Sequence, residues 1–190
     1  MFSRVSTAVA AIGTLFPRSG NACPTRQRGS AHDFTLIAID GSPLPLQSFT
    51  GKALLIVNTA SLCGFRSQYA GLQETWVRYQ GRGLVVLGVP SNDFGGQEPK
   101  RDDEIDRFCE DSYGVTFPLA AKTAVYGPNA HPFYAWAGDT LGEKSRPRWN
   151  FHKYLVNSEG QLTAWFNSTI SPRSRKMRDA IEDALPGSIQ

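Results

Sequence analysis

Cys63 is the residue of this sequence best placed for covalent chemistry. It follows Asn58-Thr59-Ala60-Ser61-Leu62 and precedes Gly64-Phe65. On one side lies an apolar run, Ala53 to Val57, and on the other Tyr69, Leu72, Trp76 and Tyr79 recur at helical spacing. The run reads as a buried strand and the recurrence as an amphipathic helix. Cys63 therefore falls at the C-terminal end of a strand, where open α/β sheets place their sites. A thiol just before a helix meets unpaired backbone N–H groups, which favour the thiolate. The competing reading is a small buried hydrophobe, the commonest fate of a free cysteine; position favours the chemical one. The chain has three cysteines, and neither Cys-x-x-Cys nor Cys-x-x-x-Cys occurs among them. That spacing argues against a dithiol oxidoreductase or a copper carrier. His32, His131 and His152 lack an i,i+4 partner and a cysteine at metal-ligand spacing, so no metal or other cofactor is expected. Gly95-Gly96 completes neither GxGxxG nor GxxxxGK, which removes a phosphate loop.

The elements that must hold Cys63 follow from patterning. Phe34 to Ile39, followed by Asp40-Gly41, reads as a strand entering a hairpin turn. Ala53–Val57 and Leu84–Val89 suit strands buried on both faces, and the helix between them predicts a right-handed crossover joining a parallel pair. Asp102-Asp103-Glu104 opens a second helix whose Ile105, Phe108 and Cys109 share a face. Its acid-rich, aromatic-poor face from Asp102 to Asp111 predicts marginal stability. Tyr154–Val156 and Leu162–Phe166 form a hairpin about Asn157-Ser158-Glu159-Gly160, and Met177, Ala180, Ile181, Ala184 and Leu185 give a final helix. Between Tyr126 and Trp149 no further helix is expected. This order predicts an α/β chain with a thioredoxin-like layout: a central mixed sheet flanked by helices, with an N-terminal β-hairpin. A layout alone does not carry a function.

Three segments add a specific likeness. Asn58-Thr59-Ala60-Ser61-Leu62-Cys63-Gly64-Phe65 resembles the peroxidatic motif of the glutathione peroxidase family. Gly88 to Pro99, containing Asn92-Asp93-Phe94-Gly95-Gly96-Gln97-Glu98, is similar to its second signature, and Trp149-Asn150-Phe151-His152-Lys153-Tyr154-Leu155-Val156 to its third. The motifs occur in family order, and the likeness spans roughly residues 33–185. It implies a catalytic tetrad of Cys63, Gln97, Trp149 and Asn150. Uncharged donors around a thiolate suit peroxide cleavage, because they stabilise the departing oxygen without taking the proton. In general Trp149 would be a core aromatic, Asn150 a turn residue and Gln97 a loop residue; the shared motif favours function. Ile105 to Cys109 resembles the segment carrying the resolving cysteine in the thioredoxin-dependent branch. The resemblance thus implies a thiol peroxidase reducing hydrogen peroxide and organic or lipid hydroperoxides, through a Cys63 sulfenic acid and a Cys63–Cys109 disulfide. A thioredoxin-like dithiol is expected as reductant in preference to glutathione. Ser91 stands where many members have a cysteine. The tetrameric members carry an insertion between Tyr126 and Trp149, so its apparent absence implies a monomer with an open site. The alternative from another class is a non-catalytic thioredoxin-like adaptor whose Cys63 passes oxidation to a partner.

Composition bounds the remaining possibilities. The 190 residues, 41% hydrophobic and 19% charged, suit one folded domain. The net charge is +3, yet Arg4, Arg18, Arg26 and Arg28 all precede the first acid, Asp33, so residues 33–190 carry −1. The basic balance belongs to the leader, and no nucleic-acid partner is expected. Residues 1–32 form that leader and 33–190 the peroxidase domain. Val5 to Phe16 after Arg4 fits a secretory signal, and the absence of acids also fits a mitochondrial presequence or a plain tail. A signal would place the protein outside the cytoplasm, in a periplasm for example; otherwise it is cytoplasmic or organellar. Cys23, in this leader, has no assigned role. Lys144, Arg146 and Arg148 make a basic cluster before Trp149, read as a solvated loop in preference to an anion-attracting rim.

Overall fold

The computed structural model describes residues 29–187. The leader up to residue 28, Cys23 included, lies outside the described residues. Two short strands, β1 (Thr35–Ile37) and β2 (Pro43–Pro45), pair antiparallel as the N-terminal hairpin. The chain then runs β3 (Ala53–Thr59), α1 (Gln68–Tyr79), β4 (Leu84–Pro90), α2 (Asp102–Tyr113), α3 (Pro132–Leu141), β5 (Lys153–Val156), β6 (Leu162–Phe166) and α4 (Arg175–Ala184). The main sheet has the order β4-β3-β5-β6. β3 and β4 are parallel, while β5 lies antiparallel to both β3 and β6. This is the expected mixed sheet.

All seven residues of β3 and of β4 are buried, because both sheet faces are covered. Leu55, Val57, Leu84 and Val86 point to the face packed by α1, α2 and α4, through Leu72, Ile105 and Ile181 among others. Leu54, Ile56, Val85 and Leu87 point to the opposite face, covered by α3 and the N-terminal hairpin. Gly88 makes room for this packing: a Cβ there would stand 2.6 Å from the Leu119 Cδ2, which would have to move.

Three details differ from the sequence reading. The segment between Tyr126 and Trp149 does contain a helix, α3. His131 caps it, Pro132 occupies its first turn, and Phe133, Tyr134 and Ala137 are buried. Residues 133–138 are apolar or glycine without a break, so no polar face set off the buried one in the sequence. The absence of a helix there therefore cannot support a monomer. Secondly, α2 is not aromatic-poor in its surroundings. Phe108 and Tyr113 meet each other and Tyr69 at ring distances of 5.3 to 6.4 Å, and the Lys100 ammonium lies 4.1 Å from the Phe108 ring centre. Tyr113 falls just beyond the acidic window read from sequence. Thirdly, packing begins before Asp33: Ala31 is buried and its N–H donates to the Gly160 carbonyl at 2.9 Å. Among the described residues no helix is long and apolar enough to cross a membrane.

Candidate active site

Sheet register brings three separate chain segments to one place. Thr59 and Pro90 are register partners, so parallel β3 and β4 end level and their following loops run side by side. β5 enters from the same end, with Lys153 opposite Val57, so residues 149–152 arrive there from the other side of β3. The loops are tied together by main-chain bonds: Ser91 N–H to the Thr59 carbonyl at 3.0 Å and Leu62 N–H to the Gln97 carbonyl at 3.0 Å. Asn58 joins the third segment, its Nδ2 donating to the Trp149 carbonyl at 3.1 Å while its own carbonyl accepts Phe151 N–H at 2.6 Å.

Cys63 caps a short 3-10 turn (Gly64–Ser67) leading into α1, and its Sγ accepts the Phe65 N–H at 3.4 Å. The cysteine is buried, yet Leu62 and Gly64 beside it are exposed. It is thus one residue below an open surface. Gln97 follows Gly95 and Gly96, both in the left-handed region (φ +68° and +62°), which folds the loop back over the β3 end. The Asn150 Nδ2 donates to Gln97 Oε1 at 3.0 Å, fixing the Gln97 amide so that its NH₂ faces away from Asn150. Asn150 is fully buried, whereas Trp149 is 39% exposed, so the indole is both anchored and reachable. Its ring lies 6.1 Å from that of Phe94. Phe151 turns the chain between Asn150 and β5 with φ +64°, the sole non-glycine residue with positive φ among those described. Such a conformation costs about 1–3 kcal/mol. Complete burial against Tyr69, edge to face at 5.3 Å, and the amide bond to Asn58 hold it.

A buried carboxylate lies beneath this cluster. Glu98 Oε2 accepts both the Ser61 N–H at 2.8 Å and the Ser61 hydroxyl at 3.0 Å. Burial pushes the Glu98 carboxyl above the usual range, and the Ser61 bonds oppose that shift. The Glu98 N–H donates to Asn92 Oδ1 at 2.9 Å, so one residue fastens both loops. Lys153 is also buried, its Nζ donating to Gln68 Oε1 and the Ile170 carbonyl at 2.6 and 2.8 Å. Burial pushes its ammonium down to about 7. Cys109 lies within α2, fully buried, in the same apolar cluster as Cys63. Both are free thiols. Burial pushes the Cys109 thiol up to about 11, and the neighbouring Tyr69 hydroxyl acts in the opposite direction.

Comparison with known proteins agrees with this arrangement. The model of the family described as Glutathione peroxidase matches residues 31–137, more than half of the chain. The chain belongs to the glutathione peroxidase family. It is 48% identical over 149 residues to the Hydroperoxy fatty acid reductase gpx1 of Synechocystis sp., covering 74% of this chain and 88% of that one. It is 45% identical to the Glutathione peroxidase-like peroxiredoxin gpx1 of Schizosaccharomyces pombe, covering 77% and 92%. The apo crystal structure of Trgpx superposes with a TM-score of 0.68 at 31% identity, over 86% of this chain and all of that one. A thioredoxin-family thiol:disulfide interchange protein from Chlorobium tepidum shares the fold at 17% identity, with a TM-score of 0.58. The chain is a peroxidase with a thioredoxin-like fold.

In this glutathione peroxidase the family model reaches Cys63, Gln97 and Cys109, whereas Trp149 and Asn150 lie beyond its match. Their presence at the site rests on the β5 register and the Asn150–Gln97 bond. Ser91 is buried, and its Oγ accepts the Asp93 N–H at 3.4 Å, a turn role that a cysteine's weaker acceptor sulfur would fill less well. Sequence reasoning missed Glu98, Asn58 and Phe151 as parts of the site. For Glu98 a signal existed: a carboxylate directly after Gln97, inside the second motif.

Proposed function

We propose that this chain reduces hydrogen peroxide and organic hydroperoxides to water and alcohols, with Cys63 as the attacking sulfur. The Cys63 thiolate attacks one peroxide oxygen, the O–O bond breaks, and the thiol's proton ends on the departing alkoxide or hydroxide. Cys63 is left as a sulfenic acid. The Gln97 amide, held in place by Asn150, and the indole N–H of Trp149 stabilise the developing charge. The observation that carries this reading is the coupling of the Cys63 loop to an uncharged donor cluster, by the Leu62–Gln97 and Gln97–Asn150 bonds.

Cys109 resolves the intermediate. Its thiol displaces water from the sulfenic acid, giving the Cys63–Cys109 disulfide, and a thioredoxin-type dithiol then reduces that bond while itself becoming a disulfide. Burial of the Cys109 thiol in α2 requires local opening of the helix for this step. The Schizosaccharomyces pombe and Saccharomyces cerevisiae relatives named peroxiredoxins support a thiol-dependent cycle. The enzyme acts as a monomer, since the apolar residues of α3 are used inside its own core, and serves in the response to oxidative stress.

The test is steady-state turnover of hydrogen peroxide with thioredoxin and thioredoxin reductase, and separately with glutathione. Rapid turnover with the former and little with the latter supports the cycle. Oxidation of Cys63 by one equivalent of peroxide without turnover by either would favour a redox adaptor instead.

A further inference from the structure

A cavity of about 490 Å³ opens beside the peroxide site, within the usual range for small-molecule pockets. Phe65 and Trp149 form the wall it shares with the site: the Phe65 N–H is the donor to Cys63 Sγ, and Trp149 precedes Asn150. Trp165 and His152 form the inner wall, their rings stacked 5.6 Å apart at an interplanar angle of 14°. Burial and the nearby Lys153 push His152 down to about 3, so this imidazole is neutral at physiological pH and adds no charge. Aromatic rings and the neutral polar groups of Asn167, Ser168 and Thr169 thus make up the rest of the lining.

The rim is cationic. Lys144, Arg146 and Arg148 border the cavity, and no carboxylate lines it. Arg146 is already neutralised by Glu143 at 2.6 Å and Asp139 at 2.7 Å. Lys144 and Arg148 are exposed and have no ion-pair partner among the described residues. Two free cations at the mouth of an aromatic cavity complement a molecule with one anionic end and a long apolar body. Phe65, two residues from Cys63, and Trp149 make the side of the cavity from which a hydroperoxide group on that body would be presented to the thiol.

We infer that this cavity is a subsite for the free carboxylate and acyl chain of a fatty-acid hydroperoxide, with Lys144 and Arg148 as the carboxylate anchors. It rests on the peroxidase reading and adds a specificity to it. The anchors bind an unesterified acid, so methyl esters and phospholipid hydroperoxides are the poorer substrates. Because both cations face solvent, the preference weakens as salt rises.

Two measurements test this on the full chain. The first is calorimetric titration of the reduced protein with linoleic acid below its micellar range, with methyl linoleate as control. Saturable binding of the acid, about tenfold tighter than the ester and about tenfold weaker in Lys144→Gln/Arg148→Gln, is expected. The second compares kcat/KM for linoleic acid hydroperoxide, its methyl ester and phosphatidylcholine hydroperoxide, each divided by the same protein's value for hydrogen peroxide. The free acid leads about tenfold in the parent and loses that lead in the double variant. Equal binding of acid and ester, a lead that survives in the double variant, or preference for the phospholipid would overturn the subsite. If linoleic acid binds as described but no peroxide of any kind is turned over, the peroxidase reading fails and the subsite stands.

Discussion

Replacing Cys63 by serine exchanges a thiol for a hydroxyl that does not ionise near neutrality, leaving no nucleophile for the O–O bond. Stopped-flow measurement of the first oxidation should find no reaction in Cys63→Ser, while Gln97→Ala and Asn150→Ala slow it by about 10²-fold without abolishing it. A normal second-order rate in Cys63→Ser would remove Cys63 from the mechanism. Glu98 belongs to the same scale but acts through Ser61. Glu98→Ala leaves the Ser61 N–H and hydroxyl without their acceptor in a buried place, a loss of about 2–3 kcal/mol. Glu98→Gln keeps an oxygen acceptor, so it should retain most of the stability and most of the first-step rate. Equal loss in both variants, read by urea unfolding and stopped flow together, would mean that the charge itself matters.

At the scale of elements, the proposed cycle makes opening of α2 the step that sets the pace of resolution. The helix begins with three acids and a capping interaction in which Glu104 Oε2 accepts the Arg101 N–H at 2.9 Å, and it ends at Gly114 in the left-handed region. Only Ile105 and Cys109 are fully buried, so few apolar contacts oppose unwinding. The aromatic trio of Tyr69, Phe108 and Tyr113, with Lys100 over Phe108, is the latch that does. An exposed cation–π contact contributes about 0.5–1 kcal/mol. Lys100→Ala should therefore speed formation of the Cys63–Cys109 disulfide by about two- to fivefold, with the first oxidation unchanged. Rapid-quench peptide mapping under non-reducing conditions reads it. An unaltered disulfide rate would show that α2 opens elsewhere or not at all.

Stability of the whole molecule carries a pH dependence centred on His152. Its folded value is about 3 against an ordinary 6.5, lowered first by burial and then by Lys153. Between those values the unfolded chain binds a proton that the folded one does not. The His152 contribution to stability is therefore complete above about 6.5 and is lost as the pH falls toward 3, by a few kcal/mol in all. Phenylalanine keeps an aromatic ring against Trp165 and Tyr154 but cannot titrate. In His152→Phe the urea midpoint should fall less steeply over the same pH range than in the parent. Parallel curves for the two proteins would exclude His152 as the source.

What the sequence by itself determined is what local pattern encodes. The β3 and β4 runs are continuous and apolar because both their faces are covered, and α1 and α4 show clear stripes because each packs on one side. Short motifs nominated Cys63, Gln97, Trp149 and Asn150 for the proposed site, and the likeness of the Ile105–Cys109 segment to a resolving segment nominated Cys109. Local pattern did not disclose α3, because its residues 133–138 are apolar or glycine without a break and no polar face outlines the buried one. Nor did it disclose Phe151, since a left-handed φ at a bulky residue is imposed by burial and by the Asn58 bond. Only the tertiary structure decided that Glu98 fastens the Cys63 loop, that the Phe108 ring of α2 meets Lys100, Tyr69 and Tyr113, and that the Lys144–Arg148 cluster borders a cavity holding Phe65, Trp149 and Trp165. The Glu98–Ser61 bonds and the cavity lining join residues far apart in the chain. Such contacts arise from the register of β3 with β4 and β5, which no window of sequence contains.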